Sequence, residues 1–338
     1  MMLRHHRARV PHRSQAVSVV GSRRHLALVA ALGSLLLLTS AAQAAVAKPR
    51  AKADKPKEQK AWINGKGMCI FPFAAEDLPD NADDFAAAMS RGYRKAIKLP
   101  DDSSVVTAEG GVYPKVDSLK IDVCDAVIDP ERKGRKPSDR KPTAPALDAA
   151  HFEMLGHRMS VERATVNMDL TATDARLLLA QDDKGKPLLV LGGAKNGRIS
   201  MEVTLDDVER LLLVAARKGG RSYGLAVDRA RLNMTVDETG HIVRVDLKLS
   251  TRFGVIPAGL RFRARLDIDD KLNGKLSELA VSGDDVLGPL MSGLIRPFLA
   301  KHNGETRPLM NFPATDMRLR GIDIAADRSL RVKADFGN

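Results

Sequence analysis

Two neighbouring stretches constrain this chain more than any other feature. HIVRVDLKLST (241–251) puts Val243, Val245, Leu247 and Leu249 on one side and Arg244, Asp246 and Lys248 on the other. GLRFRARLDID (259–269) sets Leu260, Phe262, Ala264, Leu266 and Ile268 against Arg261, Arg263, Arg265 and Asp267. A strict period of two fits a β-strand with one dry and one wet face, as antiparallel sheets allow. The two runs are joined by a short segment, which makes them neighbours in a hairpin.

The same grammar extends along the chain. Candidate strands fall at 118–128, 158–170, 188–191, 198–203, 223–236, 242–251, 260–268 and 278–282. The turn-forming pieces DDKGK, AKNG, DETG, IPAG, DKLNG and AADRS separate many of them, and this spacing predicts an antiparallel meander. The terminal ribbon TDMRLRGIDIAADRSLRVKADFGN alternates too, with its apolar parity shifting between Leu319 and Ile322. A bulge near Gly321 is predicted there.

Three segments carry helical periodicity. In PDNADDFAAAMSRGYRKAIKL, Asp80 or Asn81 caps a helix whose stripe is Phe85, Met89, Tyr93 and Ile97. VTLDDVERLLLVAARKGG starts at Thr204 with Asp207 three residues on, and stops at Gly219-Gly220. DDVLGPLMSGLIRPFLAKH repeats Leu287, Leu290, Met291, Leu294, Ile295, Phe298 and Leu299 along about five turns, and Pro297 is expected to bend it.

The N-terminus reads as an export signal. Six arginines without an acid precede LALVAALGSLLLL (26–38), and Ala42-Gln43-Ala44 is a small-x-small cleavage site. Cleavage after Ala44 would place the protein in the periplasm or exported envelope; an uncleaved anchor is the alternative. Removing residues 1–44 leaves 48 basic against 42 acidic residues. Two tracts, 45–60 and 131–145, each carry six basic and two acidic residues, so the remainder is close to neutral. Basic charge confined to Pro-rich linkers, with 4% aromatic residues, argues against nucleic-acid binding. Such tracts suit solvated linkers or the headgroups of an anionic membrane surface. The organisation expected is a signal peptide (1–44), a basic linker (45–61), an N-terminal helical cover (62–115) and a main domain (116–338) interrupted by a basic insertion at 130–145.

Catalytic and metal-binding patterns do not assemble. The four histidines after residue 44 (His151, His157, His241, His302) lack metal-ligand spacing, and no HExxH, CxxC or GxSxG occurs. No enzyme activity, cofactor or metal is expected. The two cysteines, Cys69 and Cys124, suggest one disulfide in an oxidising compartment. Such a bridge would close a loop of about 55 residues, worth roughly 4 kcal/mol in the chain-entropy account.

The order of elements adds a resemblance. GRISMEVTLDDVERLLL runs a strand into a helix; YGLAVDRARLNMTV, DETG, HIVRVDLKLST, GLRFRARLDID and KLSELAVSG follow. The long helix and the proline-led ribbon PLMNFPATDMRLRG complete the series. This resembles bacterial phospholipid-binding proteins of the tubular lipid-binding (TULIP) superfamily, the LmeA-like group, over roughly residues 116–337. The resemblance implies an α+β fold: a long curved antiparallel sheet wrapped around one long amphipathic helix, with the terminal ribbon closing the sheet against that helix. It also implies an elongated apolar cavity for a phospholipid or other acylated molecule. Cavity candidates are Val243, Val245, Leu247, Leu249, Leu260, Phe262 and Leu266 on the strands, with Leu287, Leu290, Met291, Leu294, Ile295 and Phe298 on the helix. The alternatives are an envelope assembly factor with a filled core and a hydrolase of acylated substrates.

Overall fold

The computed structural model describes residues 63–64, 70–101, 104–129, 135, 137–138, 144–221, 225–312 and 316–338. Ten strands form a mixed sheet. They are β2 (Ile70–Pro72), β3 (Val106–Glu109), β4 (Lys115–Asp122), β5 (Val127–Ile128), β6 (Ala144–Val161), β7 (Ala164–Gln181), β8 (Pro187–Gly193), β9 (Asn196–Thr204), β16 (Arg318–Ala326) and β17 (Ser329–Gly337). Five others form an antiparallel sheet: β10 (Leu225–Val236), β11 (Ile242–Phe253), β12 (Ile256–Ile268), β13 (Asn273–Asp284) and β14 (Thr306–Pro308). Short β1 (Ile63–Asn64) pairs in parallel with β15 (Met310–Asn311). Helices α1 (Ala82–Ala96), α2 (Leu205–Arg221) and α3 (Gly288–His302) complete the described elements.

The expected architecture is therefore corrected. Among the described residues there is no single curved antiparallel sheet around one long helix; a large mixed sheet and a separate antiparallel sheet carry three short helices. The terminal ribbon does not close a sheet over α3. Strand β17 pairs with β9 inside the large sheet, and β16 lies outside β17. The meander also fails at β6, which pairs in parallel with β4 and β5. A parallel neighbour needs a long crossover, and the chain between Asp122 at the end of β4 and Ala144 at the start of β6 is long enough to make one.

Local rules hold where the polar signal is strong. Asn81 caps α1, its Oδ1 accepting from Asp84 N–H at 2.9 Å. Thr204 Oγ1 accepts from Asp207 N–H at 3.1 Å and donates to Asp207 Oδ2 at 2.9 Å, a closed capping arrangement for α2. The register of β16 against β17 shifts between Leu319 and Gly321, where the parity change placed a bulge.

The interior divides in two. The first core gathers Phe71, Phe73, Phe85, Tyr93, Phe152, Phe312 and Phe336 with Leu119, Ile121 and other aliphatics. Its rings pack in tilted pairs, Phe71–Phe152 at 5.4 Å and Phe73–Phe85 at 5.5 Å. The segment expected as a cover belongs to it: α1 buries Phe85, Met89 and Tyr93, and β2 and β3 join the large sheet. The second core runs from Val166, Val203 and Val332 of the large sheet to the inner faces of β10–β13. Among its buried members in the described residues Phe262 is the one aromatic.

Candidate functional site

The five-stranded sheet reaches out from the large one. At its near end, the β10–β11 turn brings Gly240 against Asp323 and Ile324 of β16. Strand β11 then runs 12 residues to Phe253, roughly 35 Å at the usual strand rise. The far end holds the β11–β12 hairpin tip, the start of β10 and the end of β13. Helix α2 lies along β10 and α3 along β12 and β13, leaving β11 and the middle of β12 between them. Alternating residues explain why: the inner face is aliphatic and must be covered.

This lane collects most of the sequence-derived cavity residues. Val243, Val245, Leu247, Leu260, Phe262 and Leu266 are buried in the second core, with Leu249 half-buried beside them. From α3, Met291 and Ile295 pack against the same core and Leu287 is half-buried. Leu290 and Leu294 instead face outward, 63% and 65% exposed. The side chain of Phe298 lies outside the described residues. The correction has a physical reason: α3 rides on one flank of the sheet, so only one side of an apolar helix is covered.

The two cores differ in degree: most of the first keeps 0–2% of its surface accessible and most of the second 4–8%, with Ala86 and Met310 of the first at 7–8% and Val208 of the second at none. Half-buried Leu211, Leu213, Met291, Ile295, Ile322 and Ile324 border the second core. The buried polar groups of the elements around it, Asp207, Thr251 and Ser292, are bonded to neighbouring protein atoms, so the surrounding walls are otherwise apolar.

The outer face of the same sheet is polar and rich in cations. Arg261 forms a bidentate ion pair with Asp246, which holds that carboxyl below its ordinary range despite partial burial; Lys248 and Arg263 add to the effect. Arg265 pairs with Asp267 at 2.6 Å. The stripe Arg261, Arg263, Arg265 is therefore partly neutralised.

One cluster elsewhere has the residue types of nucleophilic catalysis. His157 Nε2 lies 2.6 Å from Asp169 Oδ1, and Cys124 Sγ accepts from the backbone N–H of His157 at 3.4 Å. That contact is not the imidazole–thiol bond an activated cysteine needs. Burial pushes the Cys124 thiol up, the wrong direction for a nucleophile at neutral pH. Sequence reading missed the His157–Asp169 pair because it forms across the β6–β7 hairpin. Alkylation of Cys124, followed by peptide mapping, is expected to be slow at pH 7 and to accelerate only above the ordinary thiol range. Rapid labelling at neutral pH would mean an activated thiol.

Cys124 is a free cysteine, and its expected partner Cys69 lies outside the described residues. The basic linker 45–61 also lies outside them, as does most of the 130–145 insertion; Arg135 within it pairs with Asp182 at 2.8 Å. Among the described residues, no group of His, Cys, Asp and Glu gathers as a metal site, and no helix is long and apolar enough to cross a membrane. No family model, curated protein or solved structure matches this chain.

Proposed function

We propose that the protein is an exported envelope factor that binds a phospholipid or similar acylated molecule and carries or presents it between membranes. The acyl chains would lie along the inner faces of β11 and β12, between α2 and α3. The observation that carries this reading is the second core: largely aliphatic, with Phe262 among its buried members, and bordered by half-buried Leu211, Met291, Ile295 and Ile324. Each methylene transferred there from water contributes about 0.8 kcal/mol, so no directional polar contact is needed for useful affinity. Binding, not turnover, is the activity; neither a cofactor nor a metal enters it. The apolar leader, read as an export signal, supports a location beside the lipids in question.

The test is extraction. Protein purified from the envelope without detergent, extracted into organic solvent and analysed by mass spectrometry, should release close to one acylated lipid per chain. A clean extract, together with no uptake from liposomes, would end the carrier reading and favour an assembly factor with a filled core.

A further inference from the structure

The far end of the five-stranded sheet departs from ordinary surface chemistry. The β11–β12 hairpin turns through Phe253-Gly254-Val255-Ile256, with Gly254 at φ 60° and no neighbouring atom within reach of a Cβ there. Such tips are normally Asn, Asp or Gly. Here Val255 is 94% exposed and Phe253 51% exposed. The start of α3 sits beside the tip, because Leu287 N–H bonds Pro257 O and Gly259 N–H bonds Asp285 Oδ2. That brings Val286 and Leu290, both exposed, to the same end of the molecule, with exposed Leu294 one turn further along α3. Every large side chain among the exposed hydrophobics of the described residues belongs to this group, apart from Val112 and Val127. Scattered exposed apolar residues need no explanation, but a gathered set marks an interaction surface.

Charge decides what the partner is. On the outer face in the half nearer the tip, Arg231 stands opposite Lys248 and Lys248 opposite Arg261, while Asp246 meets Arg261 and Asp228 meets Arg252. Like charges directly across a ladder destabilise a sheet. Arg229 faces only Ser250. Cations crowded against each other in this way gain from an external anion. An apolar wedge rimmed by cations is complementary to a bilayer whose acyl region lies beneath anionic headgroups.

We infer that this end docks on an anionic phospholipid membrane, with Phe253, Val255, Ile256, Val286 and Leu290 entering the headgroup–acyl boundary while Arg229, Arg231 and Lys248 of the outer face meet phosphates. The inference rests on the lipid-carrier reading and deepens it, since α2 ends and α3 starts at this same end.

The experiment uses the full chain and vesicles of phosphatidylcholine with or without 30% phosphatidylglycerol, about 30% being the anionic fraction that gives a clear surface potential. Val255→Asp and Leu290→Asp alter exposed positions, so circular dichroism and Tm should match the parent. Each is expected to weaken sedimentation with phosphatidylglycerol vesicles at least about tenfold, and 0.5 M salt, roughly a 4 Å Debye length, should weaken the parent's binding too. Parent-like vesicle binding by both folded variants would overturn the inference, leaving the leader or basic tracts as the attachment. A parent dimer that Val255→Asp returns to monomer, with no vesicle binding by either, would also overturn it and make the patch a contact between copies. Lipid co-purifying with Val255→Asp separates the two proposals: docking lost with lipid retained keeps the carrier reading, and lipid absent from a docking-competent parent removes that reading alone.

Discussion

Phe336→Ala is expected to cost about 3–5 kcal/mol, the range for deleting a large buried aromatic side chain. The residue stands third from the C-terminus, yet its side chain is 1% exposed. Strand β17 lays it opposite Gly197 of β9, and the ring occupies the space a Cβ at Gly197 would need, 2.2 Å from that point. Phe312 packs on its other side at 5.1 Å. Truncation therefore opens a cavity between two strands and a neighbouring ring, none of which can move in to fill it. Urea unfolding at constant m-value is the measurement. A matched comparison comes from the same ribbon: Ile322→Ala, at a half-buried position, should cost less than half as much. Equal losses would mean that the first core closes no tighter at the terminus than the second core does along β16.

What could be read beforehand follows from which forces are local. The faces of β11 and β12 were legible because alternation alone decides which side of a strand is dry, and every strand residue assigned to the cavity lies in the second core. Helix caps at Asn81 and Thr204 were legible because a side-chain oxygen three residues from an N–H is a local event. The β6–β7 hairpin was not. Its turn uses Glu162 and Arg163, both at positive φ (48° and 69°), where a glycine or asparagine would have announced it. One strand read across 158–170 is in truth two arms of 18 residues each, folded at that turn.

The helix 288–302 shows the limit for the site. Its apolar residues occupy nearly the whole circumference, so the sequence carries no direction for Leu290 against Met291. Only the approach of β13 settles that Met291 and Ile295 turn inward and Leu290 and Leu294 outward. Charge was misleading for a related reason. Outside the two basic tracts the chain is nearly neutral, but strand alternation gathers Arg229, Arg231, Arg244, Lys248, Arg261, Arg263 and Arg265 on one face of one sheet, with Asp246 and Asp267 among them. A net count cannot see that separation.

The same approach of β13 makes Gly283→Ala the sharpest test of how α3 is held. A Cβ on Gly283 would lie 1.8 Å from Gly288 O and 1.9 Å from Gly288 C, both backbone atoms at the start of α3. Nor can Gly288 retreat freely, because it already sits against Gly259 of β12. No rotamer change relieves a clash with main chain, so the first turn of α3 must lift from the sheet, at about 2–3 kcal/mol for overpacking of this kind. Hydrogen exchange should then show residues 288–302 losing protection while the β6–β7 hairpin in the first core keeps its own. Gly293→Ala is the control: no atom lies within 4 Å of its Cβ, and a mid-helix alanine should hold or raise α3 stability by roughly 0.5–1 kcal/mol. Since α3 forms one wall of the lane and presents Leu290 at the tip, the Gly283 variant should also lose co-purifying lipid and vesicle binding together. Unchanged protection over 288–302 would show that the glycine contact does not position the helix. Loosened protection with lipid retained would place the acyl chains along α2 and β11 alone, with α3 serving the membrane and not the cargo.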